Sequence, residues 1–356
     1  MRTQSWLFAG VLASGLVLVG ACKKDEKKAD GTAAGEKTGT TAEKPTSGPG
    51  MGQAGAGPTG TIADDLSLIP VDSEVVMGLN FAQLQQSALW KKFAEPQMMK
   101  GDFQVKLAMF KAKCGFDPMT AIKTMSLGMK GVGGDNPDGV VVVRGADKAK
   151  TLACFDTMKA EAAANGDTIT RDGDIVLVKS KSGETVGLTF VNDTTVLAVI
   201  GTGATTDGVK KAAMGGSTLK SSAAFVEMYS KIKTNDSLWM LLNGNSKAFD
   251  KAAAMGVKPK AVFGSINVTD GLTLDMRMRL DSPDQAAQMA STFNSQAQAV
   301  VSMVDKLDIT NDASDVKVSL VLSSQKLEQL IQTFGGMFGG GGMGGGGMGG
   351  GMGGTP

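Results

Sequence analysis

Leu238-Trp239-Met240-Leu241-Leu242-Asn243 repeats Val75-Val76-Met77-Gly78-Leu79-Asn80 at Met, Leu and Asn, and the chain is organised around these two stretches. Each reads as a short, apolar strand followed by helical periodicity. After the first come helical spacing over residues 81–99 and 102–114, with Gly115 as a stop, and strands at 123–129 and 139–144. A helix starts at the N-cap Asp147 and ends near Gly166. Strands at 167–171, 174–180, 185–191 and 194–200 and helices at 207–214 and 221–233 complete this part. The second stretch is followed by a helix at 246–255, strands at 261–268 and 272–280, a helix over 282–307, strands at 308–311 and 315–322, and a closing helix at 324–334. Asp172-Gly173 and Asp270-Gly271 sit between strands and read as tight hairpins, the first as a type I′ turn.

Both halves thus give the order β-α-β-β-α-β-β, and the first adds a hairpin and a helix. Strands joined by tight hairpins are antiparallel. The expected class is α+β, built as two tandem related units over residues 63–234 and 235–334, each an antiparallel sheet with helices packed on one face. The helix over 282–307 carries the clearest signals. Ser282-Pro283-Asp284-Gln285 supplies an N-cap, a first-turn proline, an acid and a capping-box Gln. Its apolar residues Ala286, Ala290, Phe293, Ala297, Val300, Val304 and Leu307 make one seam. The alanines in that seam imply close packing on a sheet, which leaves little room for an enclosed ligand.

Composition removes several chemistries. The 356 residues contain no histidine, so there is no Ser-His-Asp triad, Cys-His dyad or imidazole metal site. A formal net charge of +1 does not suit a protein that neutralises phosphates, and no nucleic-acid partner is expected. Aromatics at 5% supply few stacking platforms. Of the 49 glycines, fifteen lie in 335–356 and nine in 31–60, so the intervening chain has an ordinary globular composition and enough length for a sizeable core.

The N-terminus is more specific. Arg2 precedes an apolar run over residues 7–19, long enough for a leader and short for a span. Val19-Gly20-Ala21-Cys22 follows. This resembles the lipobox of bacterial lipoproteins, in which residues 1–21 would be the signal peptide and Cys22 the acylated N-terminus. The resemblance implies a lipid bilayer as partner, because several acyl chains together give a stable anchor. Lys23, where an acid would favour inner-membrane retention, points to the outer membrane. Residues 22–62 then form a disordered tether, and the Gly/Met-rich stretch 335–356 a disordered tail. The pattern P-x-D-S-x-V-V-x-x-L-N at residues 70–80, with S-x-L-W at 87–90, resembles a class of duplicated envelope lipoproteins that brings no known activity.

Cys114 and Cys154 remain as one pair outside a reducing compartment and are expected to form a disulfide. Catalytic motifs fail on inspection. The run Gly201-Thr202-Gly203-Ala204-Thr205-Thr206 after a strand misses both phosphate-loop fingerprints. Ser230-Lys231-Ile232-Lys233 and Ser323-Ser324-Gln325-Lys326 spell Ser-x-x-Lys without its companion motifs. Asp172 and Asp174 are too few for a calcium cage. No cofactor, metal or catalytic residue is called for. The expected function is a lipid-anchored, non-catalytic binding or structural module with another envelope protein as partner; the alternative is an anchored carrier of an apolar ligand, lined by some of the 22 methionines.

Overall fold

Val75–Asn80 forms β1 and passes directly into α1, Phe81–Gln86, whose first turn is capped by the Asn80 side chain accepting from Gln83 N. The structure is a computed structural model and describes residues 65–132, 137–250 and 257–330. Helix α2, Gly101–Cys114, ends at Gly115, where φ is +71°. Strands β2, Thr124–Lys130, and β3, Asp138–Arg144, precede α3, Lys148–Asn165, which Asp147 caps by accepting from Lys150 N at 2.8 Å. Next come β4, Thr168–Asp172, β5, Ile175–Lys179, β6, Thr185–Asn192, and β7, Thr195–Ile200. Helices α4, Thr206–Met214, and α5, Ala223–Tyr229, lead to β8, Leu238–Asn243. The chain closes with β9, Ala261–Val268, β10, Leu272–Arg279, α6, Pro283–Ala297, β11, Lys306–Asp312, and β12, Asp315–Leu322.

All twelve strands belong to one antiparallel sheet, in the order β11-β12-β10-β9-β8-β1-β2-β3-β7-β6-β5-β4. The class is α+β. The two separate sheets expected from the sequence are instead continuous, because β1 pairs with β8 and sets Met77 opposite Met240. Left apart, β1 and β8 would each present an unpaired row of N–H and C=O groups, and joining them removes both edges. Outward from this pair, β2-β3-β7-β6 on one side has the same arrangement as β9-β10-β12-β11 on the other.

The expectation of helices on one face also needs correction. Val140 and Val142 on β3, with Leu197 and Val199 on β7, pack against Val209 of α4. Their neighbours Val141, Val143, Val196 and Ala198 pack on the other face against Leu152 and Phe155 of α3. An unbroken apolar run such as Val140 to Val143 suits a strand covered on both sides. At the sheet's middle the α4/α5 side is closed by Leu66, Ile69, Phe225 and Ile232 over Val76, Trp239, Leu241 and Phe263.

Three local readings change as well. The helix over 282–307 stops at Ala297. Ala286 and Ala290 are buried as the seam requires, but Val300 is 44% exposed, and residues from Lys306 pair in β11 instead. β-branched Val300 and Val301 favour that exit from the helix. At the first hairpin Asp172 pairs with Ile175, so the central residues are Gly173, with φ +59°, and Asp174, with a negative φ; one left-handed residue makes the turn where I′ needs two. Gly271 has no positive φ; a Cβ there would stand 2.4 Å from the Leu322 carbonyl oxygen, so close approach of backbone requires this glycine. The leader, Cys22, the 22–62 tether, the second half of the helix expected at 246–255, the end of that at 324–334 and the 335–356 tail lie outside the described residues.

A charge cluster fastens α5 to the second half. Asp315, 1% exposed, accepts from Arg279 Nε at 2.7 Å and Nη2 at 3.0 Å, and from Lys231 Nζ at 2.9 Å. Glu227 completes the group by pairing with Arg279 and Lys231. The hydrogen bond from Arg279 is the main cause that lowers the Glu227 carboxyl to about 2. Burial alone would raise Asp315, but the hydrogen bonds and charges of Arg279 and Lys231 together outweigh it and hold it below the usual carboxylate range. Both folded values are depressed, so this stabilisation is present above the ordinary carboxylate range and is lost as pH falls toward about 2. Asp315→Ala is expected to cost roughly 2–3 kcal/mol, less than a fully buried pair because Arg279 and Lys231 still reach water. Urea unfolding at pH 7 measures this, and the gap from wild type should narrow in acid.

Candidate binding face

Strands β2, β1, β8, β9 and β10 lie side by side in the interior of the sheet. On the α3/α6 side their registered side chains form three transverse rows. One runs Met125, Leu79, Leu238, Ile266, Leu274. The next is Leu127, Met77, Met240, Gly264, Met276, and the third is Met129, Val75, Leu242, Val262, Met278. None of these side chains is polar. All are half-buried except Gly264, which is covered: Met276 Sδ lies 2.8 Å from where a Cβ would stand.

On the opposite face of the sheet Val76, Trp239, Leu241 and Phe263 of β1, β8 and β9 are buried, while β10 presents exposed Thr273 and half-buried Asp275 and Arg277. Among the described residues, then, one face of the central sheet is closed over β1, β8 and β9 and the other is a partly open apolar floor. Helix α3 packs over β3 and β7 in a cluster that takes in Met125 and Leu127 at the floor's β2 edge, and α6 packs on its far side over Met278, Val316 and Ile309. The chain after β1 runs along one set of strand ends: Ala82 N donates to Lys123 O, Gln83 Nε2 to Asn267 Oδ1, and Leu89 N to Thr269 O. The floor is thus bordered on three sides.

Two hollows are of another kind. An apolar space of about 70 Å³ is lined by Phe110, Phe116, Phe155 and Met158, far below the several hundred Å³ of a ligand site. A shallow hollow of about 580 Å³ between α6 and β11 is open to water and bridged by Asn294 Nδ2 donating to Ile309 O.

No protein family, curated protein or solved structure matches the chain.

Cys114 and Cys154 form a disulfide, Sγ–Sγ 1.97 Å, that joins the end of α2 to α3. The Met158 thioether lies 3.4 Å from Cys154 Sγ. The Gly201–Gly203 loop receives an acid from within the chain: Asp138 Oδ1 accepts from Thr202 N at 2.7 Å and from its hydroxyl at 2.9 Å. Thr205 caps α4 by accepting from Gly208 N. Neither Ser-x-x-Lys run brings a lysine amine to its serine hydroxyl; in the second, Lys326 N rather than Nζ donates to Ser323 Oγ. Ser230 donates to Glu227 O, Lys233 reaches Asp275, and Lys326 donates to Ser302 O. Asp174 pairs with Lys148. Among the described residues no group of three or more acidic or cysteine side chains could hold a metal, and no helix is long and apolar enough to cross a membrane.

The buried Asp65-Arg144-Ser126 group went unread in the sequence. Asp65 Oδ1 accepts from Arg144 Nε at 2.8 Å, and Oδ2 accepts from the Ser126 hydroxyl at 2.7 Å. Its one readable sign was an arginine closing the all-valine run of β3. The group pins the segment before β1 to the sheet and touches no cavity described above.

Proposed function

We propose that the protein is an envelope lipoprotein, anchored in the outer membrane through acylated Cys22 and held off it by residues 23–62, that works as a non-catalytic binding module. The observation that carries the binding reading is the apolar floor, three rows across five interior strands without a polar side chain. A wide apolar face left partly open marks a site of interaction. The apolar space lined by Phe110, Phe116, Phe155 and Met158, at about 70 Å³, is too small to support the carrier alternative in its closed form. We also read the chain as a duplicated unit fused edge to edge, which the matching strand arrangement on either side of β1 and β8 supports.

Two measurements test this. Cys22→Ser should move the protein from the membrane to the soluble fraction and remove the acyl mass from its N-terminus; unchanged fractionation rejects the anchor. The folded, unacylated chain should bind the apolar dye anilinonaphthalene sulfonate saturably before any unfolding, whereas a closed face would give no native-state signal.

A further inference from the structure

We propose that the occupant of the floor is the hydrocarbon chain of an acyl lipid. This rests on the reading of the floor as the binding face and names its ligand class. The deciding feature is complementarity of charge and polarity. Every floor strand has a ladder partner on both sides, so its backbone donors and acceptors are already used. The floor side chains add only thioethers and hydrocarbon. An extended peptide laid there would give up one N–H and one C=O per residue to a surface that returns neither, and a charged group would lose its hydration with no counter-ion. The same cost weighs against the 335–356 segment, in which fifteen glycines accompany Met337, Phe338, Met343, Met348 and Met352, so that seating those side chains would strand far more backbone than they cover. A chain of methylenes has no such groups to strand.

Size and texture agree. Five strands spaced by ~4.8 Å span about 19 Å between outer strand axes. One leaflet of a bilayer is about 15 Å of hydrocarbon, so a single acyl chain fits across the floor. Met77, Met125, Met129, Met240 and Met276 give that surface adaptable side chains, able to follow a flexible chain without one fixed shape. The flanking helices α3 and α6 bound the occupant on two sides.

The test uses the complete mature chain with Cys22→Ser, titrated with the fluorescent C18 fatty acid cis-parinaric acid. Saturable binding is expected, with palmitate as competitor. Competition by dipalmitoyl phosphatidylglycerol as well would extend the source to membrane lipid; competition by palmitate alone would identify free fatty acid. Met240→Asp should weaken binding at least tenfold. A second readout avoids the risk that this variant fails to fold: mild peroxide should oxidise Met77 and Met240 in the free wild-type protein, and palmitate should protect them by at least threefold. Met214, 81% exposed and away from the floor, is the internal reference and should not change. Absence of saturable parinarate binding, or of protection at the floor methionines, overturns the proposal. If the anilinonaphthalene dye still binds while parinarate does not, the binding face survives and the acyl ligand falls. Protection by an amphipathic helical peptide instead of palmitate has the same meaning.

Discussion

Trp239→Ala is expected to lower stability by about 4 kcal/mol, measured by urea unfolding with Trp239→Phe as the milder comparison. Trp239 is fully buried at the middle of the sheet, edge-on to Tyr229 with centroids 5.2 Å apart. It lies across the β1/β8 junction. A Cβ on Gly78 would stand 2.1 Å from the indole Nε1, so the indole occupies the space that this glycine leaves open. The indole N–H has no hydrogen-bond partner among the described residues, so phenylalanine gives up area but no polar contact. The same geometry predicts coupling. Gly78→Ala should be severely destabilising beside Trp239 and much less so when combined with Trp239→Ala, a cycle with an interaction energy of roughly 1–3 kcal/mol. Independent, additive effects would mean that the two residues do not share that space.

Removal of the disulfide, as Cys114→Ser with Cys154→Ser, is expected to cost roughly 4 kcal/mol in the chain-entropy treatment of a 40-residue separation. The loss should be uneven. Helix α2 exposes Val105 by 59% and Met109 by 45%, so little apolar burial holds it in place. Its remaining attachments include the Phe110–Phe116 ring contact and the Lys113–Glu161 ion pair. Hydrogen exchange in the double variant should rise first over α2 while β3 and β7 remain protected. Two alkylatable thiols in freshly isolated wild-type protein would reject the bond.

Local chemistry was well marked in the sequence and long-range pairing was not. Asp147, Ser282, Gly115 and Gly166 end or begin helices where their cap chemistry says they should. Nothing local could say that β1 pairs with β8, because an edge strand and a central strand with the same residues look alike. The cover on both faces of β3 was legible in its unbroken valines, and the one-face expectation passed over it. At α6 the apolar spacing continues beyond Ala297, but strand pairing competes for the same residues and wins. The floor was hidden for a related reason. Val75 to Leu79 and Leu238 to Leu242 are apolar at nearly every position, so no alternation separates the buried face from the open one. Only the register, which aligns the half-buried members into rows, tells them apart.

The midline pairing has a consequence for the order in which the chain is made. β1 finds β2 about fifty residues downstream, but its other neighbour, β8, is not synthesised until more than 150 residues have followed it. Until then the first half carries an uncapped edge, with Met77 and Leu79 beside it. Such an edge can template the wrong strand, from another nascent copy or from the same chain. Closure of the sheet is therefore a late, long-range event, and slow folding with exchange of whole halves between neighbouring copies is the failure to look for when synthesis outruns it.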